Sequence, residues 1–151
     1  MRLLKEVLLK VLKANSGIEL PQYESEGAAG MDLRAFLETD VLIPSMGRAK
    51  IPTGLKIEIP EGYEAQVRPR SGLAIKQGLT VLNSPGTIDS DYRGDLEVIL
   101  INLGAEDVII KNKERIAQLV VAPVCRAQII EAVMLTPSQR GSAGFGSTGA
   151  D

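Results

Sequence analysis

The stretch Leu79-Thr-Val-Leu82, Asn83-Ser-Pro-Gly86-Thr-Ile88-Asp89-Ser-Asp91-Tyr92-Arg-Gly94-Asp95, Leu96-Glu-Val-Ile-Leu-Ile-Asn102 decides how this chain is read. Two apolar runs rich in β-branched residues flank a turn-forming segment, which is the pattern of strand, connection and strand. The connection is richer than a structural hairpin requires. Gly86 and Gly94 permit backbone approaches that a side chain would block, while Asp89, Asp91 and Tyr92 offer a base, an anion and an aromatic face.

Working outward, short apolar or alternating runs recur at Glu6 to Leu12, Ala29 to Ala35, Val41 to Ile43, Arg48 to Ile51, Leu55 to Ile59 and Tyr63 to Val67. They continue at Leu79 to Leu82, Leu96 to Asn102, Val108 to Ile110, Ile116 to Val121 and Ala127 to Val133, with prolines among the punctuation. The chain is therefore expected to be all-β, a jelly-roll-like Greek-key barrel in which two sheets share a core. Leu3 to Lys13 also fits an amphipathic helix, and Arg70 to Gly78 has the turn residues and centre of a single helical segment. Residues 1–136 are read as one barrel domain. Residues 137–151, poor in apolar side chains and rich in glycine, are read as a mobile arm.

Composition narrows the chemistry. The 151-residue chain is 44% hydrophobic, enough for one core, and has no apolar run near the roughly 20 residues of a membrane span. A soluble cytoplasmic protein is expected, with the single cysteine, Cys125, buried in the apolar run Val120 to Cys125. Histidine is absent, which removes Ser-His-Asp and Cys-His catalysis and His-ligated zinc. Chemistry must then rest on carboxylates, hydroxyls, arginines or a hard cation, and oxygen-only ligation points to Mg²⁺ beside substrate phosphates. A net charge of −2 speaks against a broad nucleic-acid surface but leaves room for a small polyanion in a locally basic pocket. Three tyrosines and two phenylalanines are the only aromatics, and Tyr92 and Phe145 lie in Gly-rich polar segments, a placement that suits ligand stacking.

Four further segments carry chemistry. Phe145, bracketed by glycines and accompanied by Arg140, Ser147 and Thr148, either belongs to a solvated terminus or stacks on a base while its neighbours grip phosphate. Arg70, Ser71 and Gly72 supply a guanidinium, a hydroxyl and a close-approach glycine at an expected helix start. Asp32 is one acid in a small, apolar run, where it caps a turn, pairs with Arg34 or Arg115, or reaches a metal through water. Gln118 is the polar exception in Arg115 to Val120, either a satisfied core amide or a phosphate or water contact.

Taken together, Asn83 to Gly94, Ala29-Gly-Met-Asp-Leu-Arg-Ala35, Pro69-Arg-Ser-Gly-Leu-Ala74, Arg115-Ile-Ala-Gln-Leu119 and Arg140-Gly-Ser-Ala-Gly-Phe-Gly-Ser-Thr-Gly149 closely resemble the motifs of the trimeric dUTPase family. All five stand in the family's order, over about Leu20 to Gly149. The resemblance implies a homotrimer with shared active sites that hydrolyses dUTP to dUMP and pyrophosphate with Mg²⁺. It assigns Asp89 to the attacking water, and Asp32 to the metal through water, with Mg²⁺ held mainly by the substrate phosphates. Phosphate contacts fall to Arg70, Ser71, Gly72 and Gln118, and the uracil and sugar pocket to Asn83, Gly86, Ile88 and Tyr92. Arg140, Phe145, Gly146, Ser147 and Thr148 become the arm that closes over the substrate.

Two departures from the family pattern are visible: Ala143 where glycine is usual and Asp95 where glutamate is usual. The dCTP deaminase branch and a non-enzymatic nucleotide binder are the alternatives. Asp89, Tyr92 and Phe145 weigh against the first, and Asp89 together with Arg140 and Phe145 against the second.

Overall fold

The computed structural model describes residues 6–145, which form two four-stranded antiparallel sheets, one two-stranded sheet and a single short helix. The first sheet has the order β1 (Lys10–Lys13), β4 (Arg48–Glu58), β8 (Leu96–Asn102) and β6 (Leu79–Val81). The second runs β2 (Met31–Arg34), β10 (Arg115–Pro123), β5 (Tyr63–Arg68) and β7 (Gly86–Ile88). β3 (Val41–Ile43) pairs with β9 (Val108–Ile110), and α1 (Ser71–Gln77) bridges β5 to β6. This all-β, jelly-roll-like arrangement matches the expected class. No helix among the described residues is long and apolar enough to cross a membrane.

Strict alternation builds the core. In β8, Leu96, Val98, Leu100 and Asn102 point inward, while Glu97, Ile99 and Ile101 stand half-buried on the outer face. Met31 and Leu33 of β2 and Ile116, Ala117 and Leu119 of β10 meet them from the other sheet. The same period turns Asp32 and Gln118 outward.

One buried polar residue ties three loops together. Asn102 donates through Nδ2 to the carbonyls of Ile43 (3.0 Å) and Glu106 (2.8 Å) and accepts from the Gly104 amide at 2.9 Å. Asn102→Ala strands all three backbone groups, and a loss of about 2–4 kcal/mol in unfolding free energy is expected from denaturant titration. A loss within error of zero would mean that water replaces the amide.

Several elements differ from the sequence expectation. Arg48 to Ile51 and Leu55 to Ile59 form one strand, β4, whose register on β8 slips between Pro52 and Leu55. Pro52 has no amide to donate, so the ladder breaks there, and the Thr53 hydroxyl donates instead to the Leu96 carbonyl at 2.6 Å. β7 was expected to be connection; its three residues pair with β5 through Val67 and Gly86. In the N-terminal run only Lys10–Lys13 forms strand within the described residues. Ala127 to Val133 forms no strand, because the chain leaves the second sheet after the Val124 amide bonds to Gly62 and meets no open ladder of its own. Cys125 is exposed for the same reason.

Candidate active site

Register places the first group of polar side chains. Asp32 on β2 faces Gln118 on β10, and Gln118 faces Arg68 on β5, so the three form a row across the outer face of the second sheet. β5 then runs through Pro69 into α1, which delivers Arg70 to the same face. The Arg70 Nε lies 3.0 Å from Asp32 Oδ1, and Arg115 Nη1 lies 3.3 Å from Oδ2. The Asp32 side chain is only 14% exposed, so this double pairing is partly desolvated and holds both guanidiniums in place. Arg34 is not its partner; it donates to the Lys113 carbonyl and approaches Glu19. The Gln118 amide is half-buried and has no hydrogen-bond partner among the described residues, which leaves it free for a ligand. Ser71 opens α1 and is exposed, while a side chain at Gly72 would meet only open space.

The helix ends where it does because Gly78 adopts a left-handed φ of 68°, its amide bonding back to Ala74. A Cβ there would also run into the backbone of Gly104.

The second group belongs to the connection between β7 and β8. Asn83, Gly86, Ile88, Asp89 and Tyr92 line a cavity of about 230 Å³, walled on its far side by Lys50, Leu96 and Glu97. The loop is braced from within. The Tyr92 amide donates to the Asp89 carbonyl at 3.2 Å, its phenol donates to the Asp95 carbonyl at 3.0 Å, and Arg93 donates to Ser90 and Tyr92 carbonyls. Gly94 is required by this packing, since a Cβ would collide with the Tyr92 ring. The Asp89 carboxylate is exposed and has neither hydrogen-bond nor ion-pair partner among the described residues. An acid held by its backbone and left open at the mouth of a cavity is placed to take a proton from water or to meet a cation.

Sequence reading missed Lys50 and Glu97 in this wall. Their ion pair, 2.8 Å long, joins β4 to β8, and the hydrogen bond and charge of Glu97 raise the Lys50 ammonium above the usual lysine range, keeping it cationic at neutral pH. The available signal was opposite charge at outward positions of two runs, which becomes legible only once Lys50 is known to face Ile99 and Pro52 to face Glu97.

The two groups do not meet in one chain. β7 stands three strands from β2 in the second sheet, about 14 Å at the usual strand spacing, and the hairpin cavity includes none of Asp32, Arg70 or Gln118. Asp32 borders a different cavity of about 350 Å³ shared with Phe36, Thr53 and Leu55.

Arg140 and Phe145 approach neither group. Arg140 donates to the Ala143 carbonyl at 2.7 Å within a local turn, and Phe145 is fully exposed with a left-handed φ of 51°. Gly146, Ser147 and Thr148 lie outside the described residues.

The dUTPase family pattern matches residues 16–149, nearly the whole of the chain and both groups of side chains. This chain belongs to the dUTPase family. A deoxyuridine 5'-triphosphate nucleotidohydrolase of Chlamydia pneumoniae is 60% identical over 137 residues, covering 90% of this chain and 94% of that one. One from Fusobacterium nucleatum subsp. nucleatum is 52% identical over 146 residues, covering 97% and 99%. Among solved structures, a Staphylococcus bacteriophage 80alpha dUTPase G164S mutant with dUpNHpp superposes at a TM-score of 0.85 with 25% identity, covering 95% of this chain and 99% of that one.

For a dUTPase, the charged groups are arranged sparingly. No cluster of three carboxylate or thiol side chains capable of caging a metal occurs among the described residues. Asp32 spends its charge on two arginines, so its remaining lone pairs suit a metal-bound water better than direct ligation.

Proposed function

We propose that this dUTPase-family chain hydrolyses dUTP to dUMP and pyrophosphate by attack of water on the α-phosphorus, with Asp89 orienting the water and accepting its proton. The observation that carries the reading is the open, unpaired Asp89 carboxylate at the mouth of a cavity walled by Tyr92 and backbone of the hairpin. The bond formed is water oxygen to α-phosphorus, the bond broken joins the α-phosphorus to the bridging oxygen, and pyrophosphate leaves. Because a carboxylate is a weak base, much of the acceleration belongs to positioning and charge stabilisation.

Uracil and deoxyribose enter the hairpin cavity, with Asn83, Gly86 and Ile88 against the base and the Tyr92 ring beneath the sugar. Arg70, Ser71, Gly72 and Gln118 receive the phosphates. Mg²⁺, held mainly by those phosphates and reached by Asp32 through water, would neutralise charge that develops on them.

Since the hairpin cavity includes none of Arg70, Ser71, Gly72 or Gln118 within a chain, the working site in this reading is assembled from different copies of a homotrimer. Ile129, Ile130, Val133, Met134 and Leu135, all exposed among the described residues, support such an assembly. The arm of residues 137–151, with Arg140, Phe145, Gly146, Ser147 and Thr148, then closes over the nucleotide, removing uracil-bearing triphosphate from the DNA precursor pool and supplying dUMP for thymidylate synthesis. A cytoplasmic location accords with that substrate.

Pyrophosphate release from dUTP, dCTP, dTTP and UTP, with Mg²⁺ and after chelation, tests the reading. Turnover of dUTP alone, lost on chelation, is expected, and for Tyr92→Ala the discrimination between dUTP and UTP is expected to fall by about 10-fold or more. Ammonia released from dCTP, or tight binding without turnover, would overturn it; unaltered sugar preference in the Tyr92 variant would remove the steric gate.

A further inference from the structure

The wall of the hairpin cavity carries an imbalance of charge. Three carboxylates line it, Asp89, Asp95 and Glu97, against a single ammonium, Lys50. Asp95 is well solvated, its side chain 71% exposed, and has Lys56 at 3.8 Å. Asp89 is open to water. Glu97 is different: its side chain is only 30% exposed, it stands on the outer face of β8 at the cavity wall, and its one ion-pair partner is Lys50 at 2.8 Å.

A carboxylate so placed acts on whatever fills the cavity with less water to screen it than the other two have. The deoxyuridine that enters is uncharged, but it carries a polyanionic phosphate chain to the Asp89 mouth of the cavity. Without Lys50, Glu97 would raise the electrostatic cost of bringing it in.

We propose that Lys50 sets the affinity of the hairpin cavity for its nucleotide: by pairing with Glu97 it cancels the least solvated carboxylate of the wall and so admits an anionic substrate. Lys50 is a positioning residue in this role, acting through Glu97 and not on the reacting atoms. The inference rests on the reading that the deoxyuridine end of the substrate enters this cavity. Its consequence is a coupling: the ammonium is needed only because the carboxylate is there.

Steady-state hydrolysis of dUTP by Lys50→Leu, Glu97→Leu and the double variant measures that coupling. Lys50→Leu is expected to raise KM by about 5- to 10-fold with kcat within about 2-fold, the scale of one uncompensated charge near an anion at a protein surface. Glu97→Leu should leave KM no higher than in the unaltered protein, and adding it to Lys50→Leu should bring KM back to within about 2-fold. The KM excess of the single Lys50 variant should also shrink as salt rises from about 0.05 to 0.5 M, which a packing defect would not do.

A Lys50→Leu KM equal to that of the unaltered protein overturns the proposal, as does a double variant that stays as impaired as the single one. Asn83→Ala, measured alongside, separates the two levels of argument. If Asn83→Ala raises KM and Lys50→Leu does not, the charge inference alone fails; if neither does, the nucleotide does not occupy the hairpin.

Discussion

Asp89→Asn is expected to lower kcat for dUTP by about 10²- to 10⁴-fold while nucleotide binding persists, the range associated with losing a positioned general base. The substitution keeps shape and removes only the ability to take a proton. It should fold normally, because the carboxylate supports no hydrogen bond or ion pair among the described residues and the loop is held by Tyr92, Arg93 and Gly94 instead. Binding of an α,β-imido analogue of dUTP, measured by calorimetry beside single-turnover hydrolysis, separates affinity from chemistry. Hydrolysis near the unaltered rate would take the role of base away from Asp89 and leave it as an anion near the metal.

That a water-activating acid could be picked from sequence depended on local grammar. Asp89 stands between Gly86 and Gly94 in a segment that needs no acids for its turn, so its excess chemistry is visible without a structure. The alternation of Leu96 to Asn102 likewise reported its own inner face, and α1 was bounded by Arg70 and Gly78 as expected. Sequence offered Arg34 or Arg115 as the partner of Asp32; Arg115 is the one the structure pairs with it, and Arg70, which sequence did not name, joins through the registers of β2 on β10 and β10 on β5. Lys50 and Glu97 were hidden in the same way.

Pattern also misled where a run had no partner. Ala127 to Val133 is a short apolar run of strand length, yet hydrophobicity only states that a segment needs covering and does not say by which chain. The side chains there, and Cys125, stay exposed among the described residues. β7 was overlooked for the opposite reason: three residues, one of them glycine, make too short a signal to distinguish from the turn around them.

Removing Ser138 to Asp151 is expected to leave the barrel as stable as before and to cost on the order of 10²-fold or more in kcat/KM. The first half follows from the structure, in which the described residues of that segment, 138–145, hydrogen-bond only among themselves and Phe145 is fully exposed. The second follows from what an arm would add. One aromatic stacked on a base is worth roughly 1–3 kcal/mol, about 5- to 150-fold, and closure excludes bulk water from a charged reaction in addition. Phe145→Ala alone should therefore reproduce part of the loss, and the difference between that variant and the truncation measures what Arg140 and the glycine-rich remainder contribute. Ala143 enters here as well: as a residue with less backbone freedom than the usual glycine, it narrows the conformations from which closure starts. A truncated protein that folds with an unchanged denaturation midpoint and hydrolyses dUTP at the full rate would show that residues 138–151 do not take part in the reaction, and the site would then have to exclude water with the barrel alone.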